Sequence, residues 1–190
     1  MTDKEQCILG VVLSGGKGIR MGGVNKGLVS FNNRPLFQYA VENLRRITNR
    51  ILVNSNTEKT TYQELGFQVI DDGDYPYAGP LAGIYAGLKA CGDSGGWVAF
   101  APCDQLKLPE YVYRTLLKTA TEQAKPKAVF ARDEKDLHPL CCIVPCSLQA
   151  SLREALDSEE LKVQKWMQAN GTVIEFSDVD FANINEFKRS

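Results

Sequence analysis

Residues 11–27 read Val-Val-Leu-Ser-Gly-Gly-Lys-Gly-Ile-Arg-Met-Gly-Gly-Val-Asn-Lys-Gly. The first part ends an apolar run, Ile8, Leu9, Val11, Val12 and Leu13, interrupted only by Gly10, which is the pattern of a strand buried on both faces. Gly15, Gly16, Gly18, Gly22 and Gly23 follow, interleaved with Lys17, Arg20 and Lys26. Glycine lets a ligand approach the main-chain N–H groups closely. Three cations and no carboxylate make an anion, and above all a polyphosphate, the expected ligand.

Two familiar phosphate loops do not fit. No glycine here is followed by Lys and then Ser or Thr, as a P-loop requires. A dinucleotide fingerprint starting at Gly16 needs glycine where Met21 stands, and the acidic residue expected after the second strand is replaced by Asn54.

The segment from Leu13 to Gly27, L-x-G-G-x-x-x-R-M-G-G-x-x-K-G, resembles the signature loop of the molybdenum cofactor guanylyltransferases, Mg-dependent nucleotidyltransferases with a Rossmann-like fold. Gly79-Pro80-Leu81-Ala82-Gly83, Pro102-Cys103-Asp104, His138-Pro139 and the stretch 181–185 also look like the family's pattern. The resemblance implies that Leu13, Ser14 and Gly15 present main-chain groups to the nucleotide. It further implies that Asn54 and Asp72 meet its base or ribose, that Gly83 lines the pocket, and that Asp104 binds Mg²⁺ and nucleotide. Lys26 and Arg20 would hold the phosphates, while Asn183 and Asn185 would face the acceptor. Asn25 departs from the family's usual Asp and Glu186 from its usual Thr. Gly15-Gly16 leans toward GTP, where the related cytidylyltransferases usually show Ala-Gly. The implied reaction passes GMP from GTP to molybdenum-molybdopterin, with delivery and acceptor proteins as further partners. A CTP-dependent or sugar-phosphate sibling, and a non-catalytic nucleotide-binding module, remain the alternatives.

The rest of the chain is consistent with that expectation. Apolar segments at 51–54, 67–70, 97–101, 128–131, 138–144 and 172–176 alternate with helical periodicity, so the spacing predicts a three-layer α/β/α fold with a mostly parallel sheet. A helix is expected to open at Pro35, with Leu36, Phe37, Ala40, Val41, Leu44 and Ile47 on its apolar side. Another is expected to begin at Pro80. With no linker or repeat in 190 residues, one nucleotidyltransferase domain spanning 1–190 is expected.

A net charge of −1 argues against nucleic acid as the partner, although Ser14–Val41 carries Lys17, Arg20, Lys26 and Arg34 with no acid. No apolar run is long enough for a membrane span and the first residues lack a signal-peptide core, so a cytoplasmic location is expected. His138, Cys141, Cys142 and Cys146 form the one cluster with metal character. Cys141 and Cys142 are neighbours on a strand and must point to opposite faces, so buried thiols are the better reading.

Overall fold

The computed structural model describes residues 8–15, 25–92 and 95–181. Lys17, Arg20, Asn183, Asn185 and Glu186 lie outside the described residues. Seven strands form the main sheet: β1 (Ile8–Leu13), β4 (Ile51–Asn54), β5 (Gln68–Ile70), β6 (Trp97–Pro102), β7 (Ala128–Arg132), β8 (Leu137–Pro145) and β9 (Gly171–Glu175). Their order is β5-β4-β1-β6-β8-β7-β9, and only β8 runs antiparallel to its neighbours. The expected mostly parallel sheet is therefore present.

Helices cover both faces. The helices α1 (Phe37–Arg45), α2 (Lys59–Glu64) and α4 (Tyr111–Glu122) belong to one face. There Phe37, Ala40, Leu44, Tyr62, Val112 and Leu116 pack on Val12, Ala99, Ala101 and Val129. On the other face lie α3 (Pro80–Cys91), α5 (Gln149–Asp157) and α6 (Val163–Asn170), where Leu81, Ile84, Leu88, Leu152 and Met167 meet Val11, Val98, Phe100 and Val144. Alternate residues of β1 feed opposite cores, which is why the strand reads as a continuous apolar run. Each fully buried Leu, Val or Phe in these layers contributes about 1.5–3 kcal/mol relative to exposure.

One local expectation needs correction. Pro35 does not open a helix. It lies in a short antiparallel hairpin of β2 (Ser30–Phe31) and β3 (Arg34–Pro35), and α1 begins at Phe37. The turn at Asn32-Asn33 dictates this, since both residues take positive φ, of 50° and 60°, which Asn tolerates better than most side chains. Before the hairpin, Lys26–Leu28 form a single 3-10 turn, so β2 covers only Ser30–Phe31. By contrast, Pro80 occupies the first turn of α3 as expected.

The cysteines divide as strand alternation requires. Cys141 packs into the core on the α1 and α4 side, and Cys142 and Cys146 into the opposite one. Burial pushes the Cys141 thiol up to about 12. Among the described residues, no group of three or more His, Cys, Asp or Glu side chains is placed to share a metal. Nor is any helix among them long and apolar enough to cross a membrane.

Candidate active site

The register of the sheet brings the strand-end residues of the expected site, Leu13, Ser14, Gly15, Asn54, Asp72 and Asp104, to one edge. Leu13 pairs with Asn54 on one side and Pro102 on the other, and Asn54 pairs with Ile70. The residues that follow these strands, Ser14-Gly15, Ser55-Asn56, Asp71-Asp72 and Cys103-Asp104, therefore emerge at the same edge. The strand order reverses between β1 and β6, and such a switch point is where open α/β sheets take ligands.

Asp104 and Lys26 meet there. Lys26 Nζ donates to Asp104 Oδ2 at 2.5 Å, with the two side chains 23% and 15% exposed. Asp104 does not cap the next helix: α4 has Glu110 at its N-cap position and no side-chain capping bond. The loop after Asp104 is fixed by Asn43 of α1, fully buried, whose amide donates to Leu106 O at 2.9 Å and accepts from Leu108 N at 3.0 Å. A buried amide satisfied on both sides makes a rigid clamp. The sequence carries one hint of it, a polar residue inside the buried stripe between Val41 and Leu44.

Asn54 and Asp72 form the second part of the site. Asn54 Nδ2 donates to Asp72 Oδ1 at 3.0 Å, and both residues are buried. Asn56, which the sequence gave no reason to single out, completes the set. Its Nδ2 donates to Asp72 Oδ2 at 2.6 Å, and its Oδ1 accepts from Asp72 N at 3.1 Å. Asp72 is thus no isolated turn aspartate, since both its oxygens are held by asparagine amides.

Glycine at 15 and 83 makes room for Asn54. A Cβ on Gly83 would lie 2.5 Å from Asn54 Oδ1 and 2.9 Å from Leu13 Cδ2, and one on Gly15 would lie 3.0 Å from the same oxygen. Gly87 serves packing only, its missing Cβ leaving space for the Phe100 ring at 2.6 Å.

Cys103 directly precedes Asp104. Burial, reinforced by the Asp104 charge, pushes its thiol up to about 12, so it stays protonated at neutral pH.

At the far end of the same edge, His138 Nε2 lies 2.8 Å from Asp133 Oδ2, and its ring stacks on Phe181 with centroids 4.4 Å apart. Burial alone would raise the Asp133 carboxyl. The main-chain N–H groups of Asp136 and Lys135 and the His138 ring outweigh it and hold the group at about 2. A carboxyl lowered in the folded state adds stability that is present above its unfolded value of about 3.9 and disappears as pH falls toward 2. Asp133→Ala is accordingly expected to lower the melting temperature at pH 7, with the difference from wild type fading between about pH 4 and 2. Calorimetry across that range checks it, and a constant difference would exclude the carboxylate as the cause.

Lys26, Asp104, Asn54 and Asp72 thus gather at one sheet edge, and comparison with known proteins gives the family. The family model described as the MobA-like NTP transferase domain matches residues 10–173. The chain belongs to this family. A molybdenum cofactor guanylyltransferase of Yersinia pseudotuberculosis is 36% identical over 181 residues, covering 94% of this chain and 90% of that protein. One from Shewanella halifaxensis is 37% identical over 179 residues, covering 92% and 88%. The solved molybdopterin-guanine dinucleotide biosynthesis protein A of Archaeoglobus fulgidus aligns with a TM-score of 0.63 and 20% identity, over 90% of this chain and 83% of that one. A protein of Aquifex aeolicus aligns at 0.70 with 14% identity, over 92% and 90%. These two likenesses speak to the fold alone. As a MobA-like NTP transferase the chain is a nucleotidyltransferase, a class that generally uses a divalent metal.

Proposed function

We propose that the chain acts as one catalytic domain that transfers GMP from GTP to the terminal phosphate of molybdenum-molybdopterin, in the cytoplasm. The observation that carries this reading is the Lys26–Asp104 pair beside the Asn54–Asp72 pair, all at the edge reached by β1, β4, β5 and β6. An ammonium and a carboxylate in contact can take a polyphosphate and its counter-cation together. The names of the Yersinia and Shewanella relatives support guanine and the molybdenum cofactor as the chemistry.

The donor set suits Mg²⁺, which prefers one or two carboxylates completed by phosphate oxygens and water to an all-protein cage. Asp104 is one partly buried carboxylate with no competing acidic cluster among the described residues. Asp104 would hold the ion, which when bound supplies charge neutralisation on the phosphates.

The acceptor's terminal phosphate attacks the α-phosphorus of GTP. A phosphorus–oxygen bond forms there as the bond to the β-phosphate oxygen breaks, and pyrophosphate leaves. The attacking oxygen is already ionised at neutral pH, so no protein base is needed, in keeping with a site that offers no neutral-pH thiolate. Lys26 and Arg20 neutralise the charge that gathers on the phosphates, while the main chain of Leu13, Ser14 and Gly15 orients the nucleotide. Asn54 and Asp72 hold the base or ribose, Gly83 keeps space for Asn54, and Asn183 and Asn185 face the acceptor. Proteins that deliver the acceptor and receive the product complete the set of partners.

The test uses GTP labelled in the α-phosphate, incubated with MgCl₂ and molybdenum-molybdopterin. Label should pass to a dinucleotide with one pyrophosphate released per product, and CTP, ATP and UTP should give little. Efficient transfer from CTP, or none from GTP, would reject the reading.

A further inference from the structure

The residue before Lys26 is among the most heavily bonded polar side chains described. Asn25 is 6% exposed. Its Oδ1 accepts from Gly27 N at 3.0 Å, from Ser14 Oγ at 2.9 Å and from Tyr62 Oη at 2.9 Å, while its Nδ2 donates to Ser55 Oγ at 3.1 Å and Thr57 Oγ1 at 3.2 Å. The amide orientation follows from its partners. The Gly27 N–H can only donate, so the atom facing it is the oxygen. Ser55 gives its own hydrogen to Thr57 O at 2.7 Å and is left to accept from the nitrogen. Ser14 Oγ and Tyr62 Oη also lie 2.7 Å apart, so two hydroxyl hydrogens serve three contacts.

These bonds join three elements: the end of β1 at Ser14, the loop after β4 at Ser55 and Thr57, and α2 at Tyr62. They also cap the single 3-10 turn that starts at Lys26. Tyr62 is itself held, fully buried and edge-on to Phe37 with ring centroids 5.0 Å apart. The enclosure leaves no room at the next residue but one, since a Cβ on Gly27 would lie 2.4 Å from Ser14 Oγ and 2.5 Å from Tyr62 Oη.

We infer that Asn25 is a positioning residue for the transfer reaction: an uncharged hub that fixes the backbone of Lys26 against the sheet edge, so that its ammonium reaches the place where Asp104 stands. A lysine side chain has several rotatable bonds, and an error in its backbone origin carries through to the charge. Misplacement by about 1 Å costs on the order of 10² in rate. A carboxylate at this place would keep the acceptor for Gly27 N and for the two hydroxyls, so the positioning role needs the acceptor and not the charge.

The inference rests on Lys26 acting on the phosphates, and one set of variants separates the two claims. Turnover of GTP with Mg²⁺ and molybdenum-molybdopterin is measured for wild type, Asn25→Ala, Asn25→Asp, Lys26→Ala and Asn25→Ala/Lys26→Ala. Asn25→Ala is expected to lower kcat by about 10–100-fold with KM for GTP within about threefold, and Asn25→Asp to recover most of that loss. In the Lys26→Ala background the same change should lower kcat by less than about threefold, because a residue that acts through Lys26 has nothing left to position. Equal losses in both backgrounds, or Asn25→Asp as damaging as Asn25→Ala, would overturn the inference. Should Asn25→Ala not fold, Tyr62→Phe, which removes one donor to Asn25 while keeping the buried ring, takes its place. Its smaller loss in kcat must likewise vanish without Lys26. Lys26→Ala with unimpaired turnover would remove the functional reading and this inference together. A disabling Lys26→Ala beside a folded Asn25→Ala with wild-type kcat would remove the inference alone.

Discussion

Asp104→Ala is expected to lower kcat by at least about 10³-fold while the protein still folds. The carboxylate is the metal-holding group of the proposed site, and metal-derived charge stabilisation in such reactions is worth several kcal/mol, each 1.36 kcal/mol being tenfold in rate. Nothing in the core depends on this side chain. It is 15% exposed, it pairs with Lys26, and the loop behind it is fixed separately by Asn43. The melting temperature should therefore fall by only about 2–8 °C, the range for about 1–2 kcal/mol lost from a partly buried ion pair in a chain of this size. Asp104→Asn, which keeps the shape but not the charge, should be nearly as inactive. Steady-state kinetics beside a thermal melt checks both. A folded Asp104→Ala variant with more than a tenth of wild-type turnover would remove the assignment.

The second large effect is expected at Lys26. Lys26→Ala should lower kcat by about 10²–10³-fold, the usual loss for one preorganised donor to developing charge. Lys26→Arg should recover little, because the guanidinium is a planar fork and the ammonium a compact point charge. The two losses should not add: Asp104→Ala/Lys26→Ala should fall short of the product of the single effects, since the groups act on the same phosphates. Full additivity would mean that the 2.5 Å contact between them has no functional meaning. A high-salt series adds a further check, because partly buried charges are screened far less than exposed ones.

Much of this site could be read from the chain alone, and the reason is physical. Strand ends are marked by apolar runs that stop, so Ser14, Asn54, Asp72 and Asp104 could be placed at or just after the apolar segments ending at Leu13, Asn54, Ile70 and Ala101, and the register brings those ends to one edge. Pro80 and Gly83 were legible because proline is pre-organised for the first turn of a helix, whereas glycine inside one carries a local cost that packing must justify. Pro35 misled for the same reason in reverse. A proline before an amphipathic helix looks like its first residue, and only the pairing of Ser30 with Pro35 across the turn shows the hairpin. The direction of β8 was hidden because alternation carries no polarity.

What the sequence could not show were contacts between residues far apart in it. Asn25 meets Ser55, Thr57 and Tyr62 across separations of 30 to 37 residues, and Asn43 meets Leu108 across 65. Polar side chains of this type are ordinary loop and helix residues until the fold buries them. From the sequence, Asn25 stood out only as a departure from the pattern of the family it resembles. The structure gives it five hydrogen bonds.

Binding of GTP measured by calorimetry, with Mg²⁺ and with a chelator, on wild type and Asp104→Ala, tests most directly whether this sheet edge is a metal-dependent nucleotide site. Wild type should bind GTP with Mg²⁺ more tightly than CTP, ATP or UTP. Chelation should weaken that affinity at least about tenfold, and chelation should make no further difference once Asp104 is replaced. Equal GTP affinity in all four conditions would contradict the placement of metal and nucleotide at Asp104, Lys26 and Asn54.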